Sequence, residues 1–237
     1  MDGRTGRRTT DGWSHCAQMK SLVVLISGQG RNLQALIEHC AAGNIPACIA
    51  AVISNKADAP GLLRAQQAGI KTQVVPHTAY ASREAFDAAL MQAIDAHAPD
   101  VLVLAGFMRI LTPTFTQHYL GRALNIHPSL LPKHPGLKTH EAVLAAGDAQ
   151  HGATVHFVTA ALDGGPCLLQ GAFTVPPQAS ATVLAERVMQ DIELKIYPQA
   201  VAWLARGELV LQGDTALLRG RPLQAPMRLT DLEECFR

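Results

Sequence analysis

The sequence predicts an α/β fold: a doubly wound, mostly parallel sheet flanked by helices. Three observations carry this. Apolar runs such as residues 21–27 (SLVVLIS) show no polar alternation, as expected of strands covered on both faces. Segments of helical period separate these runs and give a βαβαβ rhythm. Glycine and asparagine punctuate the handovers from strand to helix.

In chain order, the run at 21–27 is a strand. Gly28-Gln-Gly-Arg-Asn32 forms a turn, and Leu33, Leu36 and Ile37 mark the inner face of a helix. Strand, glycine turn and helix start together form an anion-binding arrangement, because bare backbone N–H groups meet the positive end of the dipole. The dinucleotide fingerprint is incomplete, since Leu33 occupies the place of its third glycine. Residues 47–54 are a strand, 60–69 a helix ending on glycine, and 72–75 a short strand. Asn55 and Asp58 fit a turn, or contact with a ribose. Ser82 caps a helix whose apolar face is Phe86, Leu90, Met91 and Ile94. Residues 100–106 are a buried strand, followed by an apolar loop, Phe107 to Leu111. After a short helix at 113–119 comes a strand at 123–126. Residues 133–140 are a polar loop and a candidate lid, with His140 capping a helix at 141–146. Residues 152–158 and 167–175 are strands, and 179–206 a long helix interrupted at Pro198. His134 and His151 read as surface residues. A hairpin at 208–218 and a loose terminus end the chain.

The chain of 237 residues permits one large domain and amply supplies a core. We expect a disordered leader over 1–18 and a single domain over 19–237. With 48% apolar residues, 16% charged residues and a net charge of +1, there is no general case for nucleic acid or a membrane surface. No apolar run reaches the length of a membrane span. Cys16, Cys40, Cys48, Cys167 and Cys235 show neither a CxxC pair nor zinc spacing. This argues for reduced thiols in a cytoplasm and for no metal.

The chemistry concentrates at residues 124–132 (LNIHPSLLP). Period two puts the Asn125 and His127 side chains on one face of a strand, and Pro128 ends it. The carboxyl end of a strand is where open α/β sheets place their ligand crevice. An amide donor beside an imidazole suits a carbonyl turning into a tetrahedral oxyanion. Taken alone, the pair also fits a capping Asn and an exposed His.

Four ordered motifs, 27–32 (SGQGRN), 105–111 (AGFMRIL), 124–132 and 156–166 (HFVTAALDGGP), resemble the phosphoribosylglycinamide formyltransferases over residues of about 19–203. The resemblance implies a formyltransferase fold with a Rossmann-like N-terminal half. The half up to about residue 120 would bind phosphate, and the remainder would complete the folate site and catalysis. It implies 10-formyltetrahydrofolate as co-substrate and glycinamide ribonucleotide as acceptor. Asn125, His127 and Asp163 would be catalytic. Gly30, Arg31 and Asn32 would hold the substrate phosphate, although this family usually carries Ser where Arg31 stands. Arg83, Met108, Arg109, Ile110, Leu111 and Asn125 would bind folate, with His156 and Glu193 in secondary roles. Lys138 departs from the family's usual His. A monomer or homodimer is expected. Two alternatives share part of the evidence. One is a formyltetrahydrofolate hydrolase, for which 18 leading residues are too few to supply a regulatory domain. The other is a Rossmann nucleotide binder that leaves Asn125, His127 and Asp163 idle.

Overall fold

The computed structural model describes residues 19–237; the expected leader, residues 1–18, lies outside the described residues. Eight strands form the central sheet: β1 (Lys20–Ile26), β2 (Ala47–Ser54), β3 (Thr72–Val74), β4 (Val101–Leu104), β5 (Ala123–His127), β6 (Gln150–Phe157), β7 (Cys167–Thr174) and β11 (Met227–Arg228). Their order is β11-β7-β6-β5-β4-β1-β2-β3. The stretch from β3 to β5 is parallel, and β6 runs antiparallel to both neighbours. A separate three-stranded sheet holds β8 (Leu209–Gln212), β9 (Thr215–Leu218) and β10 (Arg221–Pro222).

The helices are α1 (Arg31–Ala41), α2 (Pro60–Gln67), α3 (Arg83–Asp95), α4 (Pro113–His118), α5 (Thr139–Ala146), α6 (Ala181–Arg187) and α7 (Leu194–Ala205). Strand β1 shows why its sequence is apolar throughout. Leu22, Val24 and Ile26 pack with α1 and α7, while Val23 and Leu25 pack with α3 and α4 on the other face. The chain leaves β1 toward β2 and β3 and returns on the other side to β4, so the topological switch lies between β1 and β4. Their carboxyl ends open there, pinned by Ser27 N–H donating to the Gly106 carbonyl at 3.1 Å. That is the crevice position the fold class dictates. The buried Tyr197 hydroxyl sits 2.8 Å from the Leu104 carbonyl and 3.0 Å from that of Leu124, tying the ends of β4 and β5 to α7.

Several local expectations change. The long C-terminal helix breaks at a π-helical segment, Val188–Glu193, and Pro198 lies inside α7. A proline leaves the carbonyl four residues back without a donor and crowds it. The wider turns just upstream are the usual place for such a misfit to be absorbed. The C-terminus is docked: Met227–Arg228 pairs with β7, Phe236 is buried, and Glu233 accepts from Arg206 and Trp203. His140 does not cap α5 but lies within it, and Lys138 takes the cap position in a left-handed conformation. His151 is fully buried, its Nε2 2.8 Å from Nδ1 of His140. Its strand is covered on both faces, so alternation along β6 does not mark a wet side. Cys40, Cys167 and Cys235 are free thiols. None of the described helices is long and apolar enough to cross a membrane.

Burial pushes His151 down to about 4 from the usual 6.5, and His140 is lowered for the same reason. The unfolded chain therefore binds more protons between these values, so stability is complete above pH 6.5 and falls as pH drops toward 4. Thermal unfolding across this window should show the decline, and His151→Gln should flatten it.

Candidate functional site

Strand β5 delivers Asn125 and His127 to the crevice, and β6 delivers His156 beside them through the Asn125–His156 register. His156 is buried, and its Nδ1–H donates to the Phe157 carbonyl at 2.9 Å. Its pKa is lowered, chiefly by burial, with the Phe157 carbonyl and Asp163 pulling the other way. The neutral ring then accepts at Nε2 from the Asn125 amide at 3.2 Å. That contact fixes which end of the Asn125 side chain is nitrogen.

His127 is held from both sides. Its Nε2–H donates to the His134 carbonyl at 2.8 Å, and its Nδ1 lies 3.4 Å from Asp163 Oδ2. Only a doubly protonated ring can donate to both. The same Asp163 oxygen accepts from Gly136 N–H at 2.8 Å, while Oδ1 lies 3.7 Å from His156 Nε2. Both contacts from the 133–138 loop are backbone groups. A salt link from Lys133 and a hydrogen bond from His134 Nε2–H, both to Asp148, hold that loop from outside. In the Asp163-Gly-Gly turn, the left-handed backbone belongs to Asp163 (φ 50), a conformation Asp tolerates better than most residues. Gly165 is needed for another reason, since a Cβ there would run into the Phe157 carbonyl.

A cavity of about 580 Å³ opens over this cluster. The loop Phe107 to Leu111 forms one wall, the 136–140 loop another, and residues 158–163 a third. The first wall is fixed at both ends. Met108 N–H donates to Ser27 Oγ at 2.8 Å, and Thr112 N–H donates to Asp87 Oδ2 at 2.6 Å. Ser27 Oγ in turn donates to Asn55 Oδ1 at 2.6 Å. Asn55 is thereby turned inward as a brace for the loop, not outward toward a ribose. Asp87 is buried, which raises its carboxyl against the opposing pull of Thr112.

At the far end of the crevice lies the start of α1. Gly30 is its cap at φ 71, with no side-chain cap. A Cβ on Gly30 would lie 2.7 Å from Gly61 Cα, so the turn can rest on α2 only without one. Asn32 Nδ2 donates to Glu193 Oε2 at 2.6 Å, and Asn32 Oδ1 has no partner among the described residues. Glu193 is buried, which raises its carboxyl despite Asn32 and Arg31. Arg31 makes a two-pronged pair with Glu186 at 2.7 and 2.9 Å.

The sequence pattern of the formyl transferase family matches residues 20–201. The chain belongs to the formyl transferase family. It is 53% identical to phosphoribosylglycinamide formyltransferase of Escherichia coli over 203 residues, covering 86% of this chain and 95% of that one. A human relative, a trifunctional purine biosynthetic protein, is 45% identical over 190 residues, covering 80% of this chain and 19% of that one. The structure is similar to that of phosphoribosylglycinamide formyltransferase from Coxiella burnetii, with TM-score 0.84, 47% identity, and coverage of 89% of this chain and 99% of that one.

As a formyl transferase family member, the chain brings the last three of the four quoted motifs to one cavity, while residues 28–32 lie outside its lining. Asn125, His127, His156 and Asp163 meet at its floor, and Arg83, Met108, Arg109, Ile110 and Leu111 line the cavity with them. Gly30, Arg31, Asn32 and Glu193 gather at the α1 end. Arg31 is turned to Glu186, neither free toward an anion nor loose in solvent. Sequence reasoning missed the His134 carbonyl, the Gly136 amide, Ser27, Asp87 and Glu186. Backbone donors and acceptors carry no sequence signal. Asp87 and Glu186 sit in ordinary helical patterns, where only tertiary contact sets them apart.

Gly30→Ala adds an overlap and strains a left-handed backbone. We expect a loss of about 1–3 kcal/mol and a fall in Tm of roughly 2–10 °C, read by thermal unfolding.

Proposed function

We propose that this chain transfers the formyl group of 10-formyltetrahydrofolate to the amine of glycinamide ribonucleotide, a step of purine biosynthesis. The observation that carries this reading is an amide, Asn125, and an imidazole, His127, placed side by side on the floor of an apolar-walled cavity and backed by a buried carboxylate, Asp163. The cavity's volume of about 580 Å³ suits a folate-sized ligand. The exposed Met108 and Ile110 offer flat apolar surface for a fused ring, and Arg83 stands on the lining to meet a carboxylate.

The ribonucleotide's phosphate sits at Gly30, Arg31 and Asn32, and Glu193 meets the same substrate beyond it. The N-terminal half thus anchors the phosphate, and the rest of the domain supplies the folate site and the chemistry. Remote binding energy at the phosphate holds the neutral amine against the formyl carbon. As the amine nitrogen bonds to that carbon, the carbonyl electron pair moves onto oxygen. Asn125 Nδ2–H and the His127 imidazolium donate to that oxyanion. His156 keeps the Asn125 amide turned for the task. The His134 carbonyl holds the His127 Nε2 proton until the substrates take it over. Asp163 orients His127 through Nδ1 and receives the amine proton. The carbon–nitrogen bond to folate then breaks, and the leaving nitrogen takes up the proton that Asp163 received. We place the enzyme in the cytoplasm, as its composition suggests.

The test is turnover of purified protein with glycinamide ribonucleotide and a 10-formyl folate, followed by release of deformylated folate. Turnover that requires the ribonucleotide supports the transferase. Turnover without it makes the protein a hydrolase, and a folded protein with no turnover overturns the reading. Asn125→Ala and His127→Ala should each lower kcat by about 10²–10³-fold, with thermal unfolding confirming an intact fold. Asp163→Ala should cause a comparable loss, and a wild-type rate there would remove the carboxylate from the mechanism.

A further inference from the structure

We propose that Arg31 and Glu186 form an exchange gate at the phosphate end of the site: Glu186 holds the Arg31 guanidinium in the free enzyme, and the ribonucleotide's phosphate takes it over on binding. This inference rests on the function proposed above and adds Glu186 as a determinant of substrate affinity.

Arg31 is the first residue of α1, where backbone N–H groups and the helix dipole already favour an anion. Neither an acidic residue in the first turn nor a capping side chain satisfies that helix start. The carboxylate that meets Arg31 comes instead from α6, 155 residues on, with one guanidinium nitrogen to each oxygen, at 2.7 and 2.9 Å. Gln190 Nε2 donates to the same Glu186 at 3.1 Å and steadies it from one turn away. The hydrogen bonds from Arg31 and Gln190 hold the Glu186 carboxyl down near 2, so it competes as a full anion at any working pH.

The pair is open to solvent, with the Arg31 and Glu186 side chains 30% and 58% exposed. An exposed pair of this kind is weak and can change partner at small cost. A phosphate carries more charge than a carboxylate and matches the same planar fork. If Glu186 kept its hold, the arriving phosphate would face a fixed negative charge at the helix start, with Glu193 close behind. Arg31 already draws on that second carboxyl, which places the guanidinium within electrostatic range of both acids. Handing Arg31 to the phosphate removes the repulsion and releases Glu186 to water.

Steady-state kinetics and calorimetry with inorganic phosphate test the gate. Glu186→Gln removes the competitor and should lower the ribonucleotide KM by about two- to fivefold. Arg31→Ser should raise it by about tenfold. In the Arg31→Ser background Glu186→Gln should lower the KM by less than it does beside Arg31, because most of its effect acts through Arg31. Inorganic phosphate should bind the variants in the same order of affinity, and the KM for 10-formyl folate should follow neither change. A higher ribonucleotide KM in Glu186→Gln would show a brace that positions Arg31, and would overturn the exchange. An unchanged KM, together with unchanged phosphate affinity, would overturn it as well. Wild-type protein that fails to use the ribonucleotide, while phosphate affinities still follow the expected order, would remove the proposed function and leave the gate standing.

Discussion

A carboxylate leaves water only if other groups take over its hydration, and the site is arranged around that requirement at Asp163. Its side chain is 9% exposed, and it accepts from a backbone N–H of the 133–138 loop and faces the His127 imidazole from β5. Both partners belong to segments well removed from Asp163 in the chain. Satisfying one carboxylate therefore draws a strand and two loops to a single point. An unpaired buried charge is among the costliest defects a fold can carry. Asp163 is thus a structural fulcrum as well as a chemical group. The left-handed backbone at Asp163 and the side-chain-free Gly165 let the 158–166 loop come close enough to present it.

The rest of the crevice is built on the same economy, with few side chains each fixing a backbone. Ser27 and Asp87 anchor the two ends of the 107–111 loop, so an apolar segment with exposed Met108 and Ile110 keeps one shape. A flexible wall would lose ordering entropy on every binding event; a braced one has lost it at folding. The opposite wall is different in kind. The 133–138 loop touches His127 and Asp163 through its own carbonyl and amide, so displacing it changes the hydrogen bonding of both side chains directly.

Much of this was legible in the chain. Uninterrupted apolar runs gave the parallel strands, because a strand covered on both faces leaves no polar alternation. Asn125 and His127 shared a face by period two, and the four motifs met at the strand ends because the switch point between β1 and β4 gathers them. What stayed hidden follows from physics that sequence pattern does not encode. His151 looked like a surface residue because polarity was read as exposure, yet it is buried against His140. Asn55 looked like a turn former, yet tertiary contact recruits it to brace Ser27. Pro198 looked like a break, yet the helix continues through it behind a π-helical segment. The partner of Arg31 was out of reach of any local reading, since 155 residues separate it from Glu186.

The sheet closes at both sides on very short strands. Three residues of β3 finish one edge, and the two residues Met227–Arg228 finish the other, held there by the docked C-terminal segment. They cover only Leu169–Gln170 of β7 and Val52–Ser54 of β2, which shortens the amide row open to another chain, although the interior strands of this protein are as apolar and β-prone as those that form fibrils. The last dozen residues, remote from every reacting atom, act as a cover over an edge that would otherwise be adhesive. Trimming them would be felt first in solubility and only later in chemistry.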